Sequence, residues 1–132
     1  MKFTIDTIAA EHKKVKSGAD FPEYIQAVKG LGVSHYKVYV SDGNTEYFDH
    51  ENKSVSSGSK YGPLNVSDEV NAERFKMQLK LHQLGGTNYM TFCKDCADNG
   101  VAGWKMDLNA MVCTYFDQAE NNILEEQVPG RA

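Results

Sequence analysis

Residues 20–49 read DFPEYIQAVKGLGVSHYKVYVSDGNTEYFD, and 68 positions further on residues 88–117 repeat the pattern as NYMTFCKDCADNGVAGWKMDLNAMVCTYFD. The match needs no gap. Its paired positions include Gly32 with Gly100, Tyr36 with Trp104, and Tyr47-Phe48-Asp49 with Tyr115-Phe116-Asp117. An ungapped internal match of this kind predicts two copies of one structural unit.

The first copy combines the periodicity of a helix with that of a hairpin. Asp20 and Glu23 make a capping box, and the apolar side chains at helical spacing after it are Tyr24, Ile25, Val28 and Leu31. Residues 34–40 then alternate in polarity, which indicates a half-buried strand. Asp42-Gly43 predicts a tight turn, after which residues 45–49 return as the partner strand.

The second copy repeats this order. Asn88 is placed to cap its helix, and Gly100 ends that helix as the aligned glycine does in the first copy. Residues 104–108 and 111–117 predict a second hairpin. Residues 123–128 predict one further strand.

A further helix precedes each copy. Thr4 can cap the first, whose apolar stripe is Ile5, Ile8, His12 and Val15. A helix from Ser67 or Asp68 to about Leu84 carries the matching stripe, at an offset of 67, of Ala72, Phe75, Leu79 and His82. The duplication therefore extends to these helices, with one residue added in the second copy.

These elements predict an α+β fold. Two ααββ(β) pseudo-repeats form one mainly antiparallel sheet, with the helices packed on one face. We expect a single domain over residues 1–132, because this length and a hydrophobic content of 41% suffice for one core. Repeat one spans 4–53, repeat two spans 68–128, and the connection 54–67 carries a short edge strand.

The composition limits which binding partners and which cellular compartment are expected for the protein. The formal net charge of −4 gives no overall attraction to phosphate backbones, so nucleic acid is not an expected partner. No apolar run of about 18 residues and no signal peptide are visible, so we expect no membrane association and a cytoplasmic location. The three cysteines are then expected as reduced thiols.

Cys93-Lys94-Asp95-Cys96 is the motif that most suggests chemistry. A redox site needs a thiol of lowered pKa, and a zinc site needs two further ligands at a suitable spacing. Neither is visible, and Cys93 and Cys96 align with Ile25 and Val28 on the apolar stripe of the other copy. We predict buried hydrophobic residues here, with no metal and no cofactor, and keep a thiol-redox or zinc site as the alternative.

The alternation of residues along the strands predicts a binding surface on the sheet. If Tyr36, Phe48, Trp104 and Phe116 face the helices, the other face carries charged groups and tyrosines. Together with His35 on the same polar strand face, the predicted ligand-binding residues are His35, Lys37, Tyr39, Tyr47, Lys105, Asp107 and Tyr115. The alternative is that these side chains only stabilise the sheet as cross-strand pairs.

Several stretches resemble a known family, the small bacterial YbcV/YdfO-like proteins that are often labelled "phage envelope protein". The resemblance rests on residues 12–21, 32–48 and 89–107 and on Cys113-Thr114-Tyr115-Phe116-Asp117, and so spans nearly the whole chain. It implies a small α+β protein of enterobacterial or prophage origin with no established activity. It therefore assigns no catalytic residues.

Two functional hypotheses follow. The first is a non-enzymatic binding module that takes a protein or small-molecule partner on the tyrosine-bearing face or in the crevice between the repeats, with a homodimer as one form. The second is a small enzyme with its site at the seam between the repeats, using His35, Tyr39 and Asp107. A closed pocket in which these three converge would favour the enzyme, and a flat sheet would favour the binding module.

Overall fold

A computed structural model of the chain describes residues 3–15 and 21–127. Two helices and then three strands follow one another, and the same order occurs a second time. In chain order the elements are α1 (Ile5–His12), α2 (Phe21–Gly30), β1 (His35–Tyr39), β2 (Thr45–Phe48), β3 (Ser54–Ser56), α3 (Ala72–Gln83), α4 (Tyr89–Asp98), β4 (Gly103–Asp107), β5 (Val112–Phe116) and β6 (Asn122–Gln127). This order agrees with the predicted pseudo-repeat.

All six strands form one sheet in the order β3-β2-β1-β4-β5-β6, and every neighbouring pair is antiparallel. The predicted α+β class is confirmed. β1 and β4 lie side by side at the centre, so the seam between the two halves is itself a strand pair. β3 falls within the predicted connection and lies at one edge of the sheet, as expected.

The helices cover one face of the sheet and form the core with it. Ile25 and Val28 of α2 and Phe75 of α3 are fully buried against this face. The ring of Phe75 lies 5.0 Å from that of Tyr115, measured between centroids, and Phe92 packs 5.6 Å from Trp104. Burial of these large side chains is the main contribution to stability.

Three predicted helix termini are confirmed. The Thr4 side chain accepts a hydrogen bond from the backbone N–H of Thr7, and that of Asn88 accepts one from Thr91. Gly100 follows α4 with a φ of 80°, a left-handed conformation that favours glycine. The predicted capping box at Asp20 lies outside the described residues.

The start of α3 differs from the prediction. The helix begins at Ala72 rather than at Ser67 or Asp68, with Asn71 as its N-cap. The preceding segment is bonded instead to the end of α4, because the backbone N–H groups of Ser67 and Asn71 donate to the carbonyls of Ala97 and Asn99. These long-range hydrogen bonds replace the first turn of a helix.

The predicted face assignment is wrong for both second strands of the hairpins. Tyr47 lies opposite Tyr36, and Tyr115 lies opposite Trp104, so both tyrosines face the helices and are 7% exposed. Phe48, opposite His35, is on the open face. A shift of one residue in register exchanges the two faces of a strand, and a buried tyrosine is tolerated when its hydroxyl finds a partner, as Tyr47 does in Tyr24.

Candidate functional site

The open face of the sheet carries three rows of side chains, because directly paired residues of neighbouring strands lie on the same face. The middle row crosses all six strands and consists of Ser56, Glu46, Lys37, Lys105, Thr114 and Glu125. The row on one side consists of Ser54, Phe48, His35, Asp107, Val112 and Gln127, and the row on the other side of Tyr39, Gly103, Phe116 and Asn122.

Five of the seven predicted ligand-binding residues lie on this open face. They are His35, Lys37, Tyr39, Lys105 and Asp107. The other two, Tyr47 and Tyr115, are buried on the helix face. The surface therefore has only one of the three tyrosines predicted for it, and its character is set by charge.

The centre of the open face is a pair of like charges. Lys37 and Lys105 are direct cross-strand partners at the seam between the halves. Lys37 Nζ lies 3.5 Å from Glu120 Oε1, while Lys105 makes no ion pair within the described part of the chain. Like charges directly opposite one another destabilise a sheet. An anion placed between these ammonium groups would relieve that repulsion.

A groove of about 530 Å³ runs over this part of the sheet. Its lining combines charged, polar and apolar groups: Lys37, Lys105, Asp107, Ala110, Val112, Thr114, Phe116, Glu120, Asn122 and Glu125. A second groove, beyond the ends of the strands, shares Phe116 and Glu120 with the first. The volume of the first groove falls within the range of small-molecule binding sites.

The Phe116 side chain is held close to the sheet because the strand partner beneath it is a glycine. A Cβ at Gly103 would lie 2.8 Å from the Phe116 ring and would also collide with the Val38 carbonyl oxygen. The ring is 7% exposed although it lies on the open face. It forms one apolar end of the groove, and Val112 lies at the other side of the lysine row.

His35 and Asp107 are direct cross-strand partners, but Tyr39 does not converge with them on a common point. His35 stacks on Phe48 with ring centroids 4.5 Å apart, and its Nδ1 lies 3.3 Å from Ser34 Oγ. Tyr39 is four residues further along the same strand, about 13 Å away at the usual rise per residue. Asp107 Oδ1 accepts hydrogen bonds from the N–H groups of Asn109 and Ala110, so it stabilises the turn after β4.

The protonation states on this face follow from burial and from the lysines. Partial burial lowers the pKa of His35, and Lys105 lowers it further, so the imidazole is neutral near pH 7. Burial raises the pKa of Tyr39, and Glu46 adds to that shift, so its hydroxyl stays protonated. The positive charge at the centre therefore comes from the two lysines.

The thiols lie on the other side of the sheet. Cys93, Cys96 and Cys113 are free and buried, which confirms the prediction that the first two belong to the apolar stripe of α4. Burial raises the pKa of Cys113 to about 12 and also raises those of Cys93 and Cys96. Among residues 3–15 and 21–127, no three potential ligands are grouped closely enough to hold a metal ion.

We expect the three thiols of the native protein to resist an aromatic disulfide reagent at pH 8 and to react together in guanidinium chloride, because the reactive thiolate is disfavoured and sterically inaccessible. Absorbance of the released thiolate measures this. Lys94→Cys, which adds an exposed thiol on α4, is the positive control. Rapid native reaction of Cys93 or Cys96 would restore the redox alternative.

Sequence reasoning missed part of this surface. Glu46, Thr114 and Glu125 occupy the middle row, and Glu120 reaches it from a turn. Correct strand register would have identified the first three, since each is adjacent in sequence to a tyrosine or leucine that points to the helix face. No local signal places Glu120 beside Lys37, because the two lie on different halves of the chain.

Together these features describe an α+β protein whose sheet has one face covered by helices and one face open around a lysine pair. The chain belongs to the DUF1398 family, whose description is "Protein of unknown function", and the family model matches residues 9–127. No curated protein matches the chain. Over the described residues, no helix has both the length and the apolar character needed to cross a membrane.

Proposed function

We propose that the protein is a non-enzymatic binding module whose open sheet face takes a small anionic ligand between Lys37 and Lys105. The observation that carries this proposal is the direct cross-strand pairing of the two lysines, which both line a groove of about 530 Å³. The anionic group of the ligand contacts both lysines. Its apolar part lies against Phe116, at one end of the same groove.

The charges around the lysines support a small ligand rather than a nucleic acid. Glu46 and Glu120 lie next to Lys37, and Glu125 lies beyond Thr114 in the same row. These carboxylates would repel a long polyanion, which needs an extended positive surface. A single carboxylate or phosphate group can instead take the place of the exposed Glu120 carboxylate beside Lys37 and contact Lys105 as well.

The arrangement supports binding over catalysis. Asp107 is engaged by the turn that it caps, and Tyr39 lies at the far end of the strand from His35. A general acid or base must lie within hydrogen-bond reach of the group that it serves, and the groove is lined by Asp107 but by neither His35 nor Tyr39. The enzyme hypothesis therefore lacks the convergence that it requires.

The proposal also includes the cellular location of the protein and its kinship. A cytoplasmic location is supported by three cysteines that are all free, as is usual in a reducing compartment. Kinship with the YbcV/YdfO-like proteins of prophage origin is supported by the stretches in which the sequences resemble one another. Neither statement changes the expected ligand.

The Lys105→Met variant should bind the ligand about tenfold more weakly, because a charge-assisted hydrogen bond is lost while the apolar stem remains. The measurement is an amide chemical-shift titration with inorganic phosphate, citrate and aromatic carboxylates. Shifts are expected at Lys37, Lys105 and Thr114. The control is Lys94→Met, which removes an exposed charge on α4 and should leave the affinity unchanged.

Two results would overturn the proposal. One is the absence of shifts on the open face with every anion of the panel, whether or not shifts occur elsewhere. The other is equal affinity of wild type and Lys105→Met for an anion that does shift these amides. Ligand-dependent dimerisation, measured by sedimentation, would show instead that the face pairs with a second copy.

A further inference from the structure

The outer edge of β6 is the longer of the two edges of the sheet. β6 extends over six residues, whereas β3 at the opposite edge has three. Within the described part of the chain, no segment pairs with the outer side of β6. Its outward backbone N–H and C=O groups are therefore available to an added strand.

The charges of β6 are all of one sign. The strand contains Glu125 and Glu126 and has no lysine, arginine or proline. Because neighbouring residues of a strand point to opposite faces, Glu125 lies on the open face opposite Thr114, and Glu126 lies on the helix face opposite Cys113. Glu126 Oε1 also accepts a hydrogen bond of 3.0 Å from Gln83 Nε2. A strand added here would meet a carboxylate on each of its faces.

These carboxylates select among partners. If two copies of β6 paired in a central antiparallel register, glutamates of the two copies would lie directly opposite or diagonal to one another, which is repulsive. The net charge of −4 adds to this repulsion between copies. A strand with basic residues at two consecutive positions would instead place one positive charge against each glutamate.

We propose that the β6 edge binds an extended basic segment of a partner protein as a seventh, antiparallel strand of the sheet. The main-chain hydrogen bonds of the added strand supply affinity for an extended conformation. Consecutive lysine and arginine residues opposite Glu125 and Glu126 supply the selectivity. This interaction goes beyond the anion-binding function, since it uses the opposite charge and a strand edge instead of the groove.

The probe is the acetylated and amidated peptide Thr-Val-Lys-Arg-Val-Thr, titrated into the full-length protein at low ionic strength. Amide shifts should concentrate in residues 122–127, and cross-strand proton contacts should appear between this strand and the peptide. The peptide Thr-Val-Glu-Glu-Val-Thr should not bind. N-methylation of the peptide amides that point toward β6 should abolish binding, because it removes the donors needed for strand addition.

Variants of the protein separate the contribution of charge to peptide binding from that of the main-chain hydrogen bonds. The double variant Glu125→Gln with Glu126→Gln should bind the basic peptide about fivefold more weakly, while the β6 strand itself is preserved. Glu73→Gln combined with Glu51→Gln removes the same charge from exposed positions elsewhere and should have little effect. Lys105→Met, the groove variant, should bind the peptide normally, so that failure of one proposal is distinct from failure of the other.

Three outcomes would overturn the strand-addition proposal. The first is that the basic peptide does not bind. The second is that the N-methylated peptide binds equally well, because this would mean charge attraction without strand pairing. The third is that the double glutamine variant binds the basic peptide with unchanged affinity. Because glutamine is compatible with an edge strand, the circular dichroism of the variant is expected to match that of wild type.

Discussion

Phe75→Ala is expected to lower the free energy of unfolding by about 3–5 kcal/mol, which is the usual cost of removing a fully buried phenylalanine side chain. Phe75 has no exposed surface, and its ring centroid lies 5.0 Å from that of Tyr115 and 6.4 Å from that of Phe92. The substitution would leave a cavity where α3, α4 and the sheet meet. Chemical denaturation followed by circular dichroism measures the loss.

The matched control is Met77→Ala in the same helix. Met77 is 74% exposed, so its truncation should change the free energy of unfolding by no more than about 0.5 kcal/mol. Both substitutions place alanine in α3, so helix propensity alone cannot account for a large difference between them. A loss below about 1 kcal/mol for Phe75→Ala would contradict the packing of α3 on the sheet.

Gly103→Ala should lower the free energy of unfolding by about 2–3 kcal/mol through overpacking. The new Cβ would collide with the Val38 carbonyl oxygen in β1 and would lie 2.8 Å from the Phe116 ring. The carbonyl belongs to the central strand pair and cannot move without disturbing the seam. The ring would be displaced into the groove, so anion binding should weaken as well.

Gly30→Ala is the control for this substitution. Nothing lies within 4 Å of a Cβ built at Gly30, which is the last residue of α2. Alanine is the better helix former, so stability should stay the same or increase by up to about 1 kcal/mol. Comparable losses in the two variants would show that the close approach at Gly103 is not what requires a glycine.

The two proposed interactions use different charges of one sheet. The lysine pair lies at the centre of the open face, and the glutamate pair lies at the β6 edge. Glu125 belongs to the same row as Lys37 and Lys105 and also lines the groove. A basic strand that neutralises Glu125 would therefore make the groove more attractive to an anion, so the two partners should bind with positive cooperativity.

The helices and most of their termini could be predicted because their signals are local. Thr4 and Asn88 cap helices through hydrogen bonds to residues three positions ahead. The stripe of α4 is buried as its spacing indicates, which is why Cys93 and Cys96 could be assigned to the core. The start of α3 could not be predicted, because Ser67 and Asn71 bond to residues about 30 positions away.

The faces of the second strands were mispredicted for a physical reason. Tyr47 and Phe48 are adjacent aromatic residues, and hydrophobicity alone favours burial of the phenylalanine. The hairpin loop instead pairs Val38 with Thr45, which puts Tyr47 on the helix face together with Tyr36. Burial is acceptable there because the Tyr47 hydroxyl has Tyr24 as a hydrogen-bond partner. The β4–β5 pairing, with Trp104 opposite Tyr115, buries the second tyrosine, so two of the seven predicted site residues lie off the open face.

The α+β class, the order of helices and strands and the core position of Cys93 and Cys96 could be predicted from the sequence, because these depend on periodicity and on residues a few positions apart. Three features became visible in the folded structure alone: Lys37 pairs with Lys105, Glu120 reaches Lys37, and β6 lies at an edge of the sheet. Such contacts join segments far apart in the chain. Their positions depend on strand register and on how the halves pair at the seam, and no short stretch of sequence encodes either.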